Sequence, residues 1–295
     1  MQLSPQLQQW RDRGEMRDLH GQQIFTVVAP DDGKPTLLLI HGYPTASWDF
    51  ADIWPQLSAH FRLVTCDMLG FGFSAKPAAH NYTIHEQADI VEALIGVLEL
   101  NTYHVLAHDY GDTVAQELLA RQNSGRGAGR WLSVCFLNGG LFPETHKALP
   151  VQRLLLSPAG KWLNRLSGKR QFDKAINRVF GPNTKASQQT LDQFWQLICY
   201  NGGDKILYRL INYMRDRITH RQRWVDALQQ SGVPIALING SADPVSGAHM
   251  VARYKELNCR LDYLAELPDI GHWPQLEAAT EVATQYLAFA QTLDG

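Results

Sequence analysis

Val105-Leu106-Ala107-His108-Asp109-Tyr110-Gly111-Asp112-Thr113-Val114-Ala115 decides how this chain is read. A short β-rich apolar run ends at Ala107, Asp109 stands in a tight turn, and a helix pattern starts directly after it. The residues two before and two after the aspartate, Ala107 and Gly111, are small. They need to be, because the crest of a sharp strand-to-helix turn leaves no room for bulk against the neighbouring strand and helix. A carboxylate presented there is ionised at neutral pH, and the positive end of the following helix favours that charge. It can attack without a base to activate it.

The same rhythm repeats on both sides. Apolar runs at 36–40, 62–66, 131–137, 234–238 and 261–267 lead respectively to His41-Gly42, to Asp67 and the turn Gly70-Phe71-Gly72, to Asn138-Gly139-Gly140, to Asp243 and to His272. Residues 83–100 carry apolar side chains at helical spacing. Alternation of this kind predicts an α/β fold with a mostly parallel central sheet flanked by helices. In such sheets a site forms beyond the carboxyl ends of the strands, which is where every candidate residue falls. From Pro143 to about Ser231 the strand rhythm stops, so a helical lid is predicted over 144–230, inserted into a core made of 1–143 and 231–295. Within the lid, 204–218 places Ile206, Leu207, Leu210, Ile211, Met214 and Ile218 on one stripe, with Tyr208 and Tyr213 near its margins.

A chain of 295 residues, 45% hydrophobic and 19% charged, can bury one sizeable core plus an inserted subdomain. The net charge is -2 and neither sign gathers into long runs, which argues against nucleic acid as a partner. Residues 1–18 are polar, and no stretch approaches the roughly 20 apolar residues of a membrane span, so a cytoplasmic protein without a membrane partner is expected. Cys66, Cys135, Cys199 and Cys259 are widely spaced and form no C-x-x-C pair, implying neither disulfides nor a zinc site. The chemistry below asks for no metal or cofactor. The oligomeric state is left open.

A carboxylate nucleophile restricts the substrate. Attack on an ordinary ester or amide would have to form a mixed anhydride and expel a poor leaving group, whereas attack at a saturated carbon gives an alkyl ester of Asp109 that water can cleave. Epoxides and alkyl halides suit it, so the expected partners are a small, apolar, electrophilic substrate and water. Cleavage needs a base, and His272 in Ile270-Gly271-His272-Trp273-Pro274 is the candidate. Asp243 in Gly240-Ser241-Ala242-Asp243-Pro244 would orient it, with Asn138 and Glu144 marking the alternative place for the acid. His41-Gly42-Tyr43-Pro44 fits an oxyanion hole, to which Tyr43 and Tyr110 would give backbone N–H groups.

The motifs His41-Gly42-Tyr43-Pro44 and His108-Asp109-Tyr110-Gly111 resemble those of the epoxide hydrolase and haloalkane dehalogenase branch of the α/β hydrolases. The longer runs Val114-Ala115-Gln116-Glu117-Leu118-Leu119 and 138–146 resemble the mesoderm-specific transcript family within it, over about 38–277. The resemblance implies the α/β-hydrolase fold, an Asp-His-Asp triad and an epoxide-hydrolase-like activity through a covalent alkyl-enzyme ester. Animal members of that family carry an N-terminal hydrophobic anchor, which is not carried over to this chain. Dehalogenases are expected to cradle halide with a Trp directly after the nucleophile and an Asn or Trp elsewhere; Tyr110 and Tyr43 occupy those places, which disfavours a haloalkane dehalogenase-like alternative. Epoxide-opening relatives protonate the leaving oxygen with lid tyrosines. Ile211-Asn212-Tyr213-Met214-Arg215 resembles their Asn-Trp-Tyr-Arg stretch, but aligning Arg215 puts Met214 where the donor belongs, so Tyr213 competes with Tyr208 and Tyr200.

Blander readings compete with each assignment. An aspartate in a strand-to-helix turn can be a simple helix cap, and a histidine can be a satisfied core residue. The whole constellation outweighs both for Asp109 and His272. His41, Gly42 and His108 read as buried support, Asp112 as a dipole-compatible first-turn residue, and Trp48, Phe71, Phe73 and Trp273 as packing. A protein that binds a small molecule on the same fold without turnover is the remaining alternative.

Overall fold

The computed structural model describes residues 2–293 apart from 158 and 167. Its strands are β1 (Glu15–Leu19), β2 (Gln22–Val28), β3 (Thr36–Ile40), β4 (Arg62–Cys66), β5 (Thr102–Ala107), β6 (Arg130–Phe136), β7 (Ile235–Gly240) and β8 (Tyr263–Leu267). They form one sheet in the order β1-β2-β4-β3-β5-β6-β7-β8. From β4 through β8 all neighbours run parallel, while β2 pairs antiparallel with both β1 and β4. The six parallel strands coincide with the six apolar runs of the sequence.

Helices on both faces explain why these strands are apolar throughout instead of alternating. Every residue of β3 and β7 is buried. Successive side chains point to opposite faces, so Leu38, Ile40, Val105 and Ala107 enter one core while Leu37, Leu39 and Leu106 enter the other. The helix Ile84–Val97 starts where Thr83 accepts a hydrogen bond from the Glu86 N–H at 3.2 Å.

The β1-β2 hairpin is not foreseen by the sequence reading. β1 is mostly exposed and β2 only partly apolar, so neither carries the continuous run of a central strand. Its signal is the two-residue loop His20-Gly21, whose φ angles of 53° and 73° give the turn that matches strand twist.

Between β6 and β7 the described residues form seven short α-helices, from Pro150–Leu155 to Arg221–Gln229. The stripe expected over 204–218 is corrected here. The segment breaks into a 3-10 turn (Tyr200–Lys205) and the helices Leu207–Leu210 and Tyr213–Thr219. The buried face is Ile206, Leu210, Ile211, Tyr213 and Arg217, while Ile218 is 69% exposed. The last helix of the insertion docks on the helix Tyr110–Asn123, where Trp224 Nε1 and Arg223 Nε donate to buried Glu117 at 2.9 and 2.8 Å. None of the helices among the described residues is long and apolar enough to cross a membrane.

Helix Tyr110–Asn123 crosses β3 at Gly111, where an added Cβ would lie 2.2 Å from the Ile40 carbonyl oxygen. Gly96, inside an exposed part of its helix, has nothing within 4 Å. Gly111→Ala is therefore expected to destabilise by about 1–3 kcal/mol through overpacking. Gly96→Ala is expected to stabilise by about 0.5–1 kcal/mol, and urea unfolding of both variants checks the contrast.

Candidate active site

β5 ends in the turn that carries Asp109, whose backbone sits at φ 48° and ψ -103° directly before helix Tyr110–Asn123. A non-glycine residue in this region is strained and persists only where its surroundings hold it. Three bonds do so: the Asp109 N–H donates to the Asn138 carbonyl (3.0 Å), Gly111 N–H to the His108 carbonyl (2.8 Å), and Arg217 Nη2 to the Asp109 carbonyl (3.1 Å). The loop after β3 closes on the same turn. A Cβ on Gly42 would lie 2.7 Å from His108 Nδ1 and 2.9 Å from Asp109 Cβ, so only glycine permits the approach. That approach brings the Tyr43 N–H to Asp109 Oδ2 at 3.1 Å. Oδ1 makes no hydrogen bond among the described residues and faces His272 Nε2 at 3.9 Å.

His272 follows β8 and is held from three sides. Its N–H donates to the Val179 carbonyl (2.9 Å), its carbonyl accepts from His108 Nε2 (2.7 Å), and its Nδ1 donates to Asp243 Oδ2 (2.7 Å). Asp243, beyond the end of β7, also accepts from Val245 N–H (2.8 Å), from Ser246 N–H and Oγ (3.0 and 2.7 Å) and from Asn138 Nδ2 (3.2 Å). The acid partner of the imidazole is therefore Asp243. Asn138 braces it, and Glu144 points elsewhere, into pairs with Arg221 and Arg253.

Burial opposes ionisation of Asp109, but His272, together with Arg217, holds its carboxyl well below the usual carboxylate range. Burial likewise opposes the His272 cation, yet Asp243 and Asp109 push the imidazole up to about 10. The resting site is thus a carboxylate, imidazolium, carboxylate sandwich. Burial lowers both His41 and His108, His108 to about 3, and so favours their neutral forms. His41 accepts from the Met68 N–H at Nε2 (2.9 Å) and donates to the Gly42 carbonyl from Nδ1 (2.8 Å), which locks the loop. Tyr110 is fully buried at the start of its helix, where a first-turn N–H has no intrahelical partner.

Arg217 escapes the sequence reading. Arg215, the arginine singled out there, is exposed and reaches the Leu156 carbonyl at 2.9 Å. Arg217 is buried; its Nε donates to Thr113 Oγ1 (2.8 Å), and its Nη2 stands 3.7 Å from Asp109 Oδ1. Its guanidinium lies 4.5 Å above the Tyr213 ring, one helical turn back. An (i, i+4) pairing of ring and cation on an otherwise apolar face was the available signal. Asp112 is more than a dipole-compatible residue. It is fully buried with both carboxyl oxygens unpartnered among the described residues, and burial, helped by Asp109, raises it well above the ordinary range.

Above Asp109 and His272 lies a cavity of about 110 Å³, walled on the core side by Tyr43 and Trp273 and on the insertion side by Leu149, Phe172, Ile176 and Trp195 among others. None of the three nominated tyrosines lines it. Tyr200 packs against Phe73 at 5.0 Å between ring centroids, and the Tyr208 hydroxyl accepts from Arg209 Nε at 2.9 Å. Tyr213 is fully buried beneath the site, 5.9 Å from the Tyr43 ring and 4.9 Å from the Tyr110 ring, with its hydroxyl unpartnered. Trp48, Phe71 and Phe73 are core residues as read, whereas Trp273 both packs and walls the cavity.

A match to the α/β hydrolase fold family covers residues 35–279. The chain is 40% identical over 301 aligned positions to the mesoderm-specific transcript homolog protein of Bos taurus, covering 98% of this chain and 89% of that one. It is 37% identical over 285 positions to the Mycobacterium tuberculosis protein LipZ, covering 97% and 98% of the two. Among solved structures, haloalkane dehalogenase DbeA from Bradyrhizobium elkanii superposes with a TM-score of 0.79 over 95% of this chain and 98% of its own, at 19% identity, a likeness that speaks to fold alone. With a parallel sheet, an elbow after β5 and a histidine after β8, this chain belongs to the α/β-hydrolase fold family.

Proposed function

We propose that this chain is a hydrolase that opens epoxides through a covalent ester on Asp109. One observation carries the reading: Asp109 lines the cavity with its Oδ1 free of hydrogen bonds among the described residues while Oδ2 rests on the Tyr43 N–H. Oδ1 is the attacking atom, and Oδ2 already occupies the place where an ester carbonyl oxygen would gather negative charge. Arg217 does not disable the nucleophile, because its short bond goes to the backbone carbonyl and the 3.7 Å separation from Oδ1 is too long for a hydrogen bond. The helices over 144–230 act as the lid, and their apolar wall selects a small apolar substrate.

The proton inventory closes inside the site. Ring opening joins Oδ1 to carbon and leaves the bonding pair on the departing oxygen, which the His272 proton neutralises. Esterification removes one of the two negative charges that held that proton, so the imidazole stays neutral and becomes a base. Water then gives its proton to Nε2 and its oxygen to the carboxyl carbon, with the Tyr43 and Tyr110 N–H groups receiving the oxyanion. Asp243 keeps the ring oriented throughout. Collapse breaks the bond from the carboxyl carbon to the alkyl oxygen, which takes the proton of the newly added hydroxyl and leaves as the diol, so that the Asp109 carboxylate and the imidazolium are restored.

His272→Gln is expected to open the ring more slowly, the departing oxygen taking its proton from water, and then to stall, so that intact-mass analysis finds one substrate mass added on Asp109 after prolonged exposure to a styrene-type epoxide. Asp109→Ala is expected to gain no mass. Rapid bromide release from bromoalkanes, with no diol from any epoxide, would instead point to dehalogenation.

The raised imidazole sets a pH dependence with a definite sign. His272 is cationic below about 10 and loses its proton as pH rises through that value. The free-enzyme parameter kcat/KM for ring opening is therefore expected to hold through neutral pH and fall in the alkaline range. A kcat/KM that climbs through the same range would contradict the order of proton transfers.

A further inference from the structure

The oxygen leaving the epoxide develops negative charge on the side of the carbon away from Asp109, and the three nominated tyrosines stand outside the cavity. Another donor has to face it. His146, from the loop that follows β6, lines the same cavity as Asp109 and His272. Its Nδ1 lies 3.3 Å from Arg217 Nη1. A guanidinium only donates, so Nδ1 carries the lone pair and the ring proton of the neutral imidazole sits on Nε2. Burial, with the Arg217 charge beside it, lowers the imidazole to about 4, which keeps it neutral at physiological pH.

Nε2 is buried and makes no hydrogen bond of ordinary length among the described residues, with the Gln152 side chain nearby. A buried N–H left unpaired costs stability, so on a residue that lines the cavity it is free to take an acceptor. The surroundings are shaped to hold the ring there. A Cβ on Gly140 would lie 2.4 Å from Arg217 Nη1 and 2.7 Å from His146 Nδ1, so glycine is needed for the two side chains to meet.

Resting on the reading of Asp109 given above, we infer that His146 is a catalytic residue whose Nε2–H binds the leaving oxygen as the ring opens, the task relatives give to lid tyrosines. It acts as a hydrogen-bond donor and not as the net proton source. The Asp109–carbon bond forms, the carbon–oxygen bond breaks with its electron pair going to oxygen, the His146 N–H stabilises that oxygen, and the His272 proton neutralises it. A neutral imidazole serves as electrophile in this way when burial and a neighbouring positive charge deny it a second proton. Arg217 fixes the tautomer and adds its charge behind the ring.

Two amide replacements separate this role from a structural one. Glutamine places its NH₂ near the position of Nε2, whereas asparagine reaches only the position of Nδ1 and preserves the contact with Arg217. In a His272→Gln background, the rate of adduct formation on Asp109 with styrene oxide is read by intact mass. His146→Asn is expected to slow it by about a hundredfold, the scale of losing one oxyanion donor. His146→Gln is expected to retain most of the rate. Equal rates in all three proteins, equal losses in both variants, or retention by Asn with loss by Gln would each overturn the role of Nε2. No adduct in His272→Gln alone would remove the Asp109 reading itself, so the two failures are distinguishable.

Discussion

Two buried carboxylates facing one buried imidazole form the interaction on which this molecule's architecture turns. Burying a lone charge is prohibitively costly, and an ion pair inside a protein is tolerable only when its remaining lone pairs and protons are satisfied. Asp243 meets that demand with donors from Val245, Ser246 and Asn138 besides the imidazole. Asp109 does not, since its Oδ1 is left bare beside His272. The asymmetry fits the division of labour proposed above, in which one acid orients the imidazole and the other attacks.

Arg217 completes the balance, giving two cations against two anions around the elbow, and it does so from the helical insertion. By donating to the Asp109 carbonyl and to Thr113 it ties the insertion to the turn that stores backbone strain. Movement of the insertion therefore bears directly on the nucleophile. The same arginine touches His146, so the group proposed to meet the leaving oxygen and the group that attacks share one support. Asp112 is raised well above the ordinary carboxylate range by burial and by Asp109, which favours its uncharged form beside the elbow.

The parallel strands were legible because most of their residues are buried and read as apolar runs, and the residues after them stood out because they fall at the carboxyl ends, where such sheets form their sites. β1 and β2 were not, since an edge hairpin carries only weak alternation and its turn rests on the brief signal His20-Gly21. Asp109, His272 and Asp243 declared themselves through small neighbours and chain order. Arg217 and the positions of Tyr200, Tyr208 and Tyr213 depended on where 200–219 breaks into separate pieces, which spacing alone does not reveal. A continuous helix puts Ile218 on the inner face; the broken one turns Ile218 outward and Arg217 inward. His146 stood in a quoted motif, yet its meaning required the Arg217 contact that fixes its tautomer.

The central claim, a covalent ester on Asp109, is tested most directly by following oxygen. A single turnover with enzyme in excess over epoxide, run in water of isotopically heavy oxygen, separates the two possible sources of the new hydroxyl. If Asp109 attacks, the first diol carries the light oxygen that came from its carboxylate, and the heavy label appears in the peptide containing Asp109. Heavy oxygen in the first diol, with that peptide unlabelled, would mean that water attacks the substrate directly and that Asp109 is no nucleophile.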